Sequence, residues 1–166
     1  MSQRMLTHSA LLKIVHYDPD SGIFTRLLSA GNTKRGSRTG SLGTRGYLRI
    51  TIDKRTYLAH RLAFFYMTGR WPDPEVDHKD DTTDNNKWNN LRECSHQQNT
   101  SNRRRRKDCR SNLKGAHRCR GLSRWKSSIM VHGVRHHLGT FETAELAHAA
   151  YCAAATEYYG QFARFS

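Results

Sequence analysis

Cysteine and long apolar runs are scarce in this 166-residue chain, and each scarcity excludes something. No apolar stretch approaches the roughly 20 residues that a membrane-spanning helix needs, so no membrane partner is expected. The four cysteines, Cys94, Cys109, Cys119 and Cys152, contain no C-x-x-C pair. That spacing argues against zinc and makes reduced thiols in a cytosol the default. A zinc site built from Cys94, Cys109, Cys119 and a histidine is the remaining alternative. Met1 to His8 is not followed by an apolar core, so no secretory leader is expected. Apolar residues make up only 36% of the chain, too little for one large core. One domain or two small ones is the expected organisation. Acidic residues are also few: 14 Asp and Glu face 28 Lys and Arg, a formal net charge of +14. The excess is uneven, with 13 cations against 4 carboxylates in residues 101–166 and 15 against 10 in residues 1–100. Such a balance points to a polyanionic partner, nucleic acid ahead of membrane, with a merely soluble basic protein as the bland alternative.

What the chain does hold is concentrated between Glu75 and Asn99, EVDHKDDTTDNNKWNNLRECSHQQN. No packing requirement explains that mixture of carboxylates, amides and histidine. Asp77 and His78 follow the β-branched Val76 and can sit at a strand end. Asp80 to Asn86 are turn and loop formers, and Asn90-Leu91-Arg92 can return as a second short strand. Ser95 reads as a helix N-cap, with Gln98 completing a capping box and Asn99 one turn into the helix. Folded back on itself, that order can gather Asp77, His78, Asn90 and Asn99. The chemistry such a cluster suits is metal-assisted hydrolysis of a phosphodiester. Asp77 and Asn99 offer hard oxygen ligands for Mg²⁺ or Mn²⁺, and a neutral His78 can take a proton from the attacking water.

Val76-Asp77-His78-Lys79-Asp80, then Asn86-x-x-x-Asn90-Leu91, then Gln98-Asn99 resemble the HNH endonucleases, particularly the phage and intron-encoded homing type. His60-Arg61-Leu62-Ala63-Phe64 matches the segment that precedes the motif in that family. The resemblance implies that His78 is the general base, that Asp77 and Asn99 are the metal ligands, and that Asn90 braces the loop holding His78. The third letter of HNH is Asn99 here rather than histidine, as in some phage members.

Upstream, residues 8–56 read as mostly strand and turn. Leu11 to Val15 form a short helix or strand, Ile23–Leu27 a strand, and Gly31–Gly46 a loop carrying Lys34, Arg35, Arg38 and Arg45. Gly46–Ile52 alternates as a strand that pairs with Tyr57-Leu58. These strands either present cations to DNA or form a small sheet with solvated arginines. His60–Thr68 is expected as a helix closed by Gly69, with His60 structural ahead of catalytic. Trp71 and Trp88 read as buried anchors ahead of DNA contacts. The run Arg103, Arg104, Arg105, Arg106, Lys107 is a solvated linker or, as favoured here, one that tracks the phosphate backbone.

Residues 113–166 read as a second module. Strands around Gly115–Arg118, Arg124–Val131 and Arg135–Phe141 precede a helix capped by Thr143 that runs to about Tyr159. Leu146, Ala147, Ala150, Tyr151, Ala154 and Tyr158 recur at helical spacing as its apolar face. The pattern K-G-x-x-R…W-K-x-x-I…L-G-T-F-x-T-x-E-x-A-x-x-A-Y-x-x-A-A…G resembles the plant Apetala-two/ethylene-response-factor DNA-binding domain. That resemblance implies that the outer sheet face enters the major groove through Arg118, Arg120, Arg124, Trp125, Lys126, Ser128, Arg135 and His137. Some of these would read bases and others only phosphates.

The expected fold is therefore α+β: a ββα-metal (His-Me finger) nuclease core with N-terminal strands, plus a C-terminal three-stranded antiparallel sheet packed on one helix. The expected divisions are a strand-rich DNA-contacting region at 1–56, a nuclease core at 57–102, a basic linker at 103–112 and a DNA-binding domain at 113–166. The expected function is a metal-dependent, homing-type DNA endonuclease of a phage or mobile element. It would act on double-stranded DNA in the cytoplasm of a bacterial host, as a monomer or a homodimer. A non-catalytic DNA-binding regulator with a decayed nuclease half is the alternative, and an RNA-binding accessory protein a more distant one.

Overall fold

A computed structural model describes residues 6–29, 31, 33–101 and 113–165. Arg103, Arg104, Arg105 and Arg106 lie outside the described residues. The chain mixes helix and strand and divides into two compact units, Met1–Cys94 and Ser95–Ser166.

The first unit begins with α1 (His8–Ile14), whose free N-terminal amides are met by the Thr7 hydroxyl accepting from Ala10 N. The strands β1 (Val15–Asp18) and β2 (Ile23–Arg26) form an antiparallel hairpin with Val15 opposite Arg26. Next come β3 (Ser41–Leu42), β4 (Leu48–Ile52) and β5 (Arg55–Leu58), in the sheet order β3-β4-β5. The expected loop at Gly31–Gly46 thus contains one short strand. The β4–β5 turn is two residues long, and both Asp53 (φ 49°) and Lys54 (φ 64°) are left-handed, as the twist of a tight hairpin requires.

Helix α2 (Ala59–Thr68) buries Ala59, His60, Leu62, Ala63, Phe64 and Phe65, and stops at Gly69 in the left-handed conformation. Strands β6 (Glu75–His78) and β7 (Leu91–Cys94) then pair antiparallel, with His78 opposite Leu91. A single turn of 3₁₀ helix at Trp88–Asn90 leads into β7. One hydrophobic core joins Leu11, Val15, Tyr17 and Phe24 to Ile50, Ile52, Leu62, Val76 and Leu91. Residues on both sides of position 56 therefore share an interior. Trp71 stacks on Phe65 with ring centroids 4.3 Å apart, and Trp88 packs on Phe64 at 5.7 Å.

The second unit contains α3 (His96–Ser101) and a three-stranded antiparallel sheet of β8 (Ala116–Arg118), β9 (Trp125–Val131) and β10 (Val134–Phe141), with β9 in the middle. The β9–β10 turn again has two left-handed residues, His132 and Gly133. Helix α4 (Ala144–Tyr159) packs on all three strands. Thr143 caps it by accepting from Leu146 N. Its buried face is Ala144, Ala147, Tyr151, Ala154, Ala155 and Tyr159. Leu146 and Tyr158, expected on that face, are instead exposed. The small alanines bring the helix close to the sheet, and Tyr159, one position on from Tyr158, is the tyrosine that turns inward.

Candidate active site

Strand alternation on β6 puts Val76 and His78 on one face and Asp77 on the other. His78 is only 4% exposed. Its ring is held from three places, one in the adjoining loop and two distant in sequence. Asn86, in the loop between β6 and β7, has Oδ1 3.4 Å from His78 Nε2. His60, in the first turn of α2, meets the ring edge-on with centroids 5.0 Å apart. Tyr47, just before β4, lies 6.0 Å from His78 and 5.2 Å from His60.

The Asn86 amide is itself oriented, because its Nδ2 donates to the Asp84 carbonyl at 3.0 Å. Its Oδ1 can only accept, so Nε2 of His78 carries the proton and Nδ1 is the basic nitrogen. Burial holds His78 below the ordinary histidine range, partly opposed by the Asn86 bond and by the charges of Asp77, Asp80 and Asp84. A neutral imidazole at physiological pH follows. His60 is pushed down to about 3, first by burial and then by the charges of His78 and Arg61. Its Nδ1 is buried without a hydrogen-bond partner among the described residues.

Asn90 ties down the loop that follows His78. Its Oδ1 accepts from Asp80 N at 3.1 Å, and its Nδ2 donates to Asp80 Oδ1 and to the Asn85 carbonyl, each at 2.8 Å. The Asn90 backbone carbonyl accepts from Lys79 N at 2.9 Å. The amide thus fastens both ends of the turn, and an unpaired buried amide in its place would cost about 1–3 kcal/mol.

Asp77, across the strand, accepts from Arg92 Nε at 3.0 Å and Nη2 at 2.8 Å, both on Oδ2. Arg92 is the register partner of Asp77 on β7, so pairing of the strands places the guanidinium. The two side chains are 14% and 9% exposed, making this a buried ion pair. Asn99 lies on α3, in the second unit, behind a capping box. There Gln98 N donates to Ser95 Oγ at 3.1 Å and Ser95 N to Gln98 Oε1 at 2.8 Å. A carboxylate and an amide oxygen suit a hard divalent ion, and no thiol belongs to the pair. Among the described residues no group of three or more His, Cys, Asp or Glu side chains could hold a metal ion.

In the second unit the structure sorts the eight side chains expected on the outer sheet face. Lys126, Ser128, Arg135 and His137 do lie there, with Arg135 opposite Met130 and His137 opposite Ser128. Arg118 and Trp125 do not. They are register partners on the face that also carries the buried Ala116, Ser127, Ile129 and Val131. The two-residue period of the strands forces that side. Arg120 and Arg124 are exposed in the connection between β8 and β9. His117 and Met130, passed over by sequence reasoning, share the outer face with Lys126 and Arg135.

Sequence reasoning also assigns no role to Tyr47 or Asn86 and leaves His60 as structural. Asn86 has a signal, its place in Asn86-x-x-x-Asn90. Tyr47 has none.

With this geometry in place, comparison with known proteins yields one match. A family model described as HNH endonuclease matches residues 57–101, about a quarter of the chain. That segment runs from β5 through α3 and contains His60, Asp77, His78, Asn86, Asn90 and Asn99. No curated protein and no solved structure matches. Residues 57–101 are thus similar to the HNH endonucleases.

Proposed function

We propose that the chain is a metal-dependent DNA endonuclease that hydrolyses a phosphodiester, with His78 as general base. The observation that carries this reading is the buried, neutral His78, its Nε2 engaged by Asn86 and its Nδ1 left basic, inside the segment that matches the HNH endonucleases. A base of this kind contributes about 10²–10⁴ in rate. Nδ1 takes a proton from water as that water attacks the phosphorus, and Asn86 keeps the opposite nitrogen's proton in place. Asn90 holds the loop rigid behind it. Asp77 and Asn99 would hold a divalent ion, Mg²⁺ or Mn²⁺, which when bound supplies positive charge at the scissile phosphate. Arg92 pairs with the Asp77 carboxylate from the facing strand β7.

In this reading residues 57–102 are a ββα-metal (His-Me finger) nuclease core. The sheet of the second unit is a DNA-binding module of the Apetala-two/ethylene-response-factor kind, and Arg103–Arg106 track the phosphate backbone. The outer sheet face supports a DNA-facing role, since Lys126, Arg135, His117 and His137 share it with no carboxylate among its register pairs. The setting is a phage or mobile element acting as a homing enzyme in the cytoplasm of its host. One active site per chain cuts one strand per engagement, leaving a 5′-phosphate and a 3′-hydroxyl.

The test is conversion of supercoiled plasmid by the purified chain with Mg²⁺, Mn²⁺ or chelator. Nicked circles with ends that a ligase reseals are expected with metal and not with chelator. Tight DNA binding with no cutting under any divalent ion would favour the non-catalytic regulator instead.

A further inference from the structure

We propose that Asn86, His60 and Tyr47 are positioning residues for cleavage, fixing the tautomer and the ring plane of His78. The proposal rests on the nuclease reading above. It begins from the convergence of three separate elements on one imidazole: Asn86 by hydrogen bond, His60 edge-on, Tyr47 tilted at 44°. Asn86 is fixed more firmly than packing alone demands. It is 1% exposed, and its carbonyl accepts from the Tyr17 hydroxyl at 2.7 Å. The backbone beside it leaves no space at Gly22, where a Cβ would stand 2.5 Å from the Asn86 carbonyl carbon. The β1–β2 turn is thereby pressed against the residue that orients His78.

His60 contributes differently. Its Nδ1 bonds to nothing among the described residues, so hydrogen bonding through that nitrogen does not explain an imidazole at that place. What the ring supplies is a flat, uncharged wall against the edge of His78. Asn86 sets which nitrogen carries the proton, while His60 and Tyr47 set the direction in which the other nitrogen points. A base displaced by about 1 Å can lose about 10²-fold in rate without any loss of substrate binding.

The experiment compares wild type, Asn86→Ala, His60→Ala, His60→Phe and His78→Ala. Each is read by plasmid nicking kinetics, by circular dichroism, and by ¹⁵N spectra of the histidine rings in metal-free protein. Asn86→Ala is expected to lower kcat by about 10- to 100-fold at unchanged KM, and to turn the single Nε2–H form of His78 into a tautomer mixture. His60→Ala should lower kcat similarly, and His60→Phe should recover most of that loss, because shape is what is needed. If His60→Ala does not fold, Asn86→Ala and His60→Phe still decide. Wild-type kcat with an unchanged His78 tautomer in Asn86→Ala would overturn the proposal. So would His60→Phe as impaired as His60→Ala, which would mean that the nitrogen is used. Failure of the nuclease reading looks different: wild type would nick under no divalent ion, while the ring spectra still report whether Asn86 sets the His78 tautomer.

Discussion

His60 carries a cost that the fold reveals only in acid. Its folded-state pKa of about 3 lies below the ordinary value of 6.5. Below pH 6.5 the unfolded chain binds a proton that the folded chain refuses. Stability therefore holds above pH 6.5 and falls as pH drops towards 3, with a slope of at most about 1.4 kcal/mol per pH unit from this group. His60→Phe should flatten that part of a urea-unfolding pH series, and an unchanged slope would show that His60 is not a buried neutral ring. Two ion pairs among the described residues show how position decides strength. Glu93, held down to about 2 by the Arg70 guanidinium and the Asp73 amide, sits in a pair whose arginine side chain is 57% exposed. Solvent screening leaves such an exposed pair weak. The pair Arg92–Asp77 is buried, and removing the arginine leaves a carboxylate in a low-dielectric site. Arg92→Met should cost about 3–5 kcal/mol and Arg70→Met far less, both measured by denaturant unfolding.

At the scale of elements, the sequence makes legible whatever local chemistry specifies. The Ser95/Gln98 capping box, the Gly69 stop of α2, the Thr143 cap of α4 and the alternation of β4 are all short-range signals, and each stands where the sequence places it. The α4 face is one position out at Tyr158, because 3.6-residue periodicity tolerates either tyrosine until the sheet chooses one. The outer face of the C-terminal sheet holds fewer of the expected side chains because composition cannot show register. Only the Arg118–Trp125 pairing tells that both lie on the inner side. The β4–β5 turn gives an element-scale prediction. Lys54 adopts a left-handed backbone at φ 64°, where a side chain is disfavoured and glycine is not. Lys54→Gly, giving an Asp-Gly turn, should stabilise the first unit by about 1 kcal/mol. A lower melting temperature in that variant would contradict it.

At the scale of the whole molecule, two units divide the chain, and the HNH segment spans the division between Cys94 and Ser95. The motif residues Asp77, His78, Asn90 and Asn99 are legible because they lie within a single run of sequence. Tyr47 and His60 are not, since they reach His78 only through tertiary packing, with α2 set against both β4 and β6, which no local pattern encodes. If the second unit anchors the enzyme on DNA, a fragment of residues 1–107 should keep cutting at high concentration and lose affinity by about 10²–10⁴. Full affinity in that fragment, once circular dichroism shows it folded, would contradict the division of labour. Replacing Arg103–Arg106 by serine should weaken binding to all duplexes alike and lower the salt slope by about 0.9 for each phosphate that is no longer neutralised. The central claim is that His78 is the base of a DNA-cutting site. The measurement that reaches it most directly is the nicking rate of His78→Ala beside its DNA affinity, at one salt concentration with Mg²⁺ present. The account predicts a rate lower by about 10²–10⁴ at unchanged affinity; a wild-type rate, or a rate that falls only as far as affinity does, would contradict it.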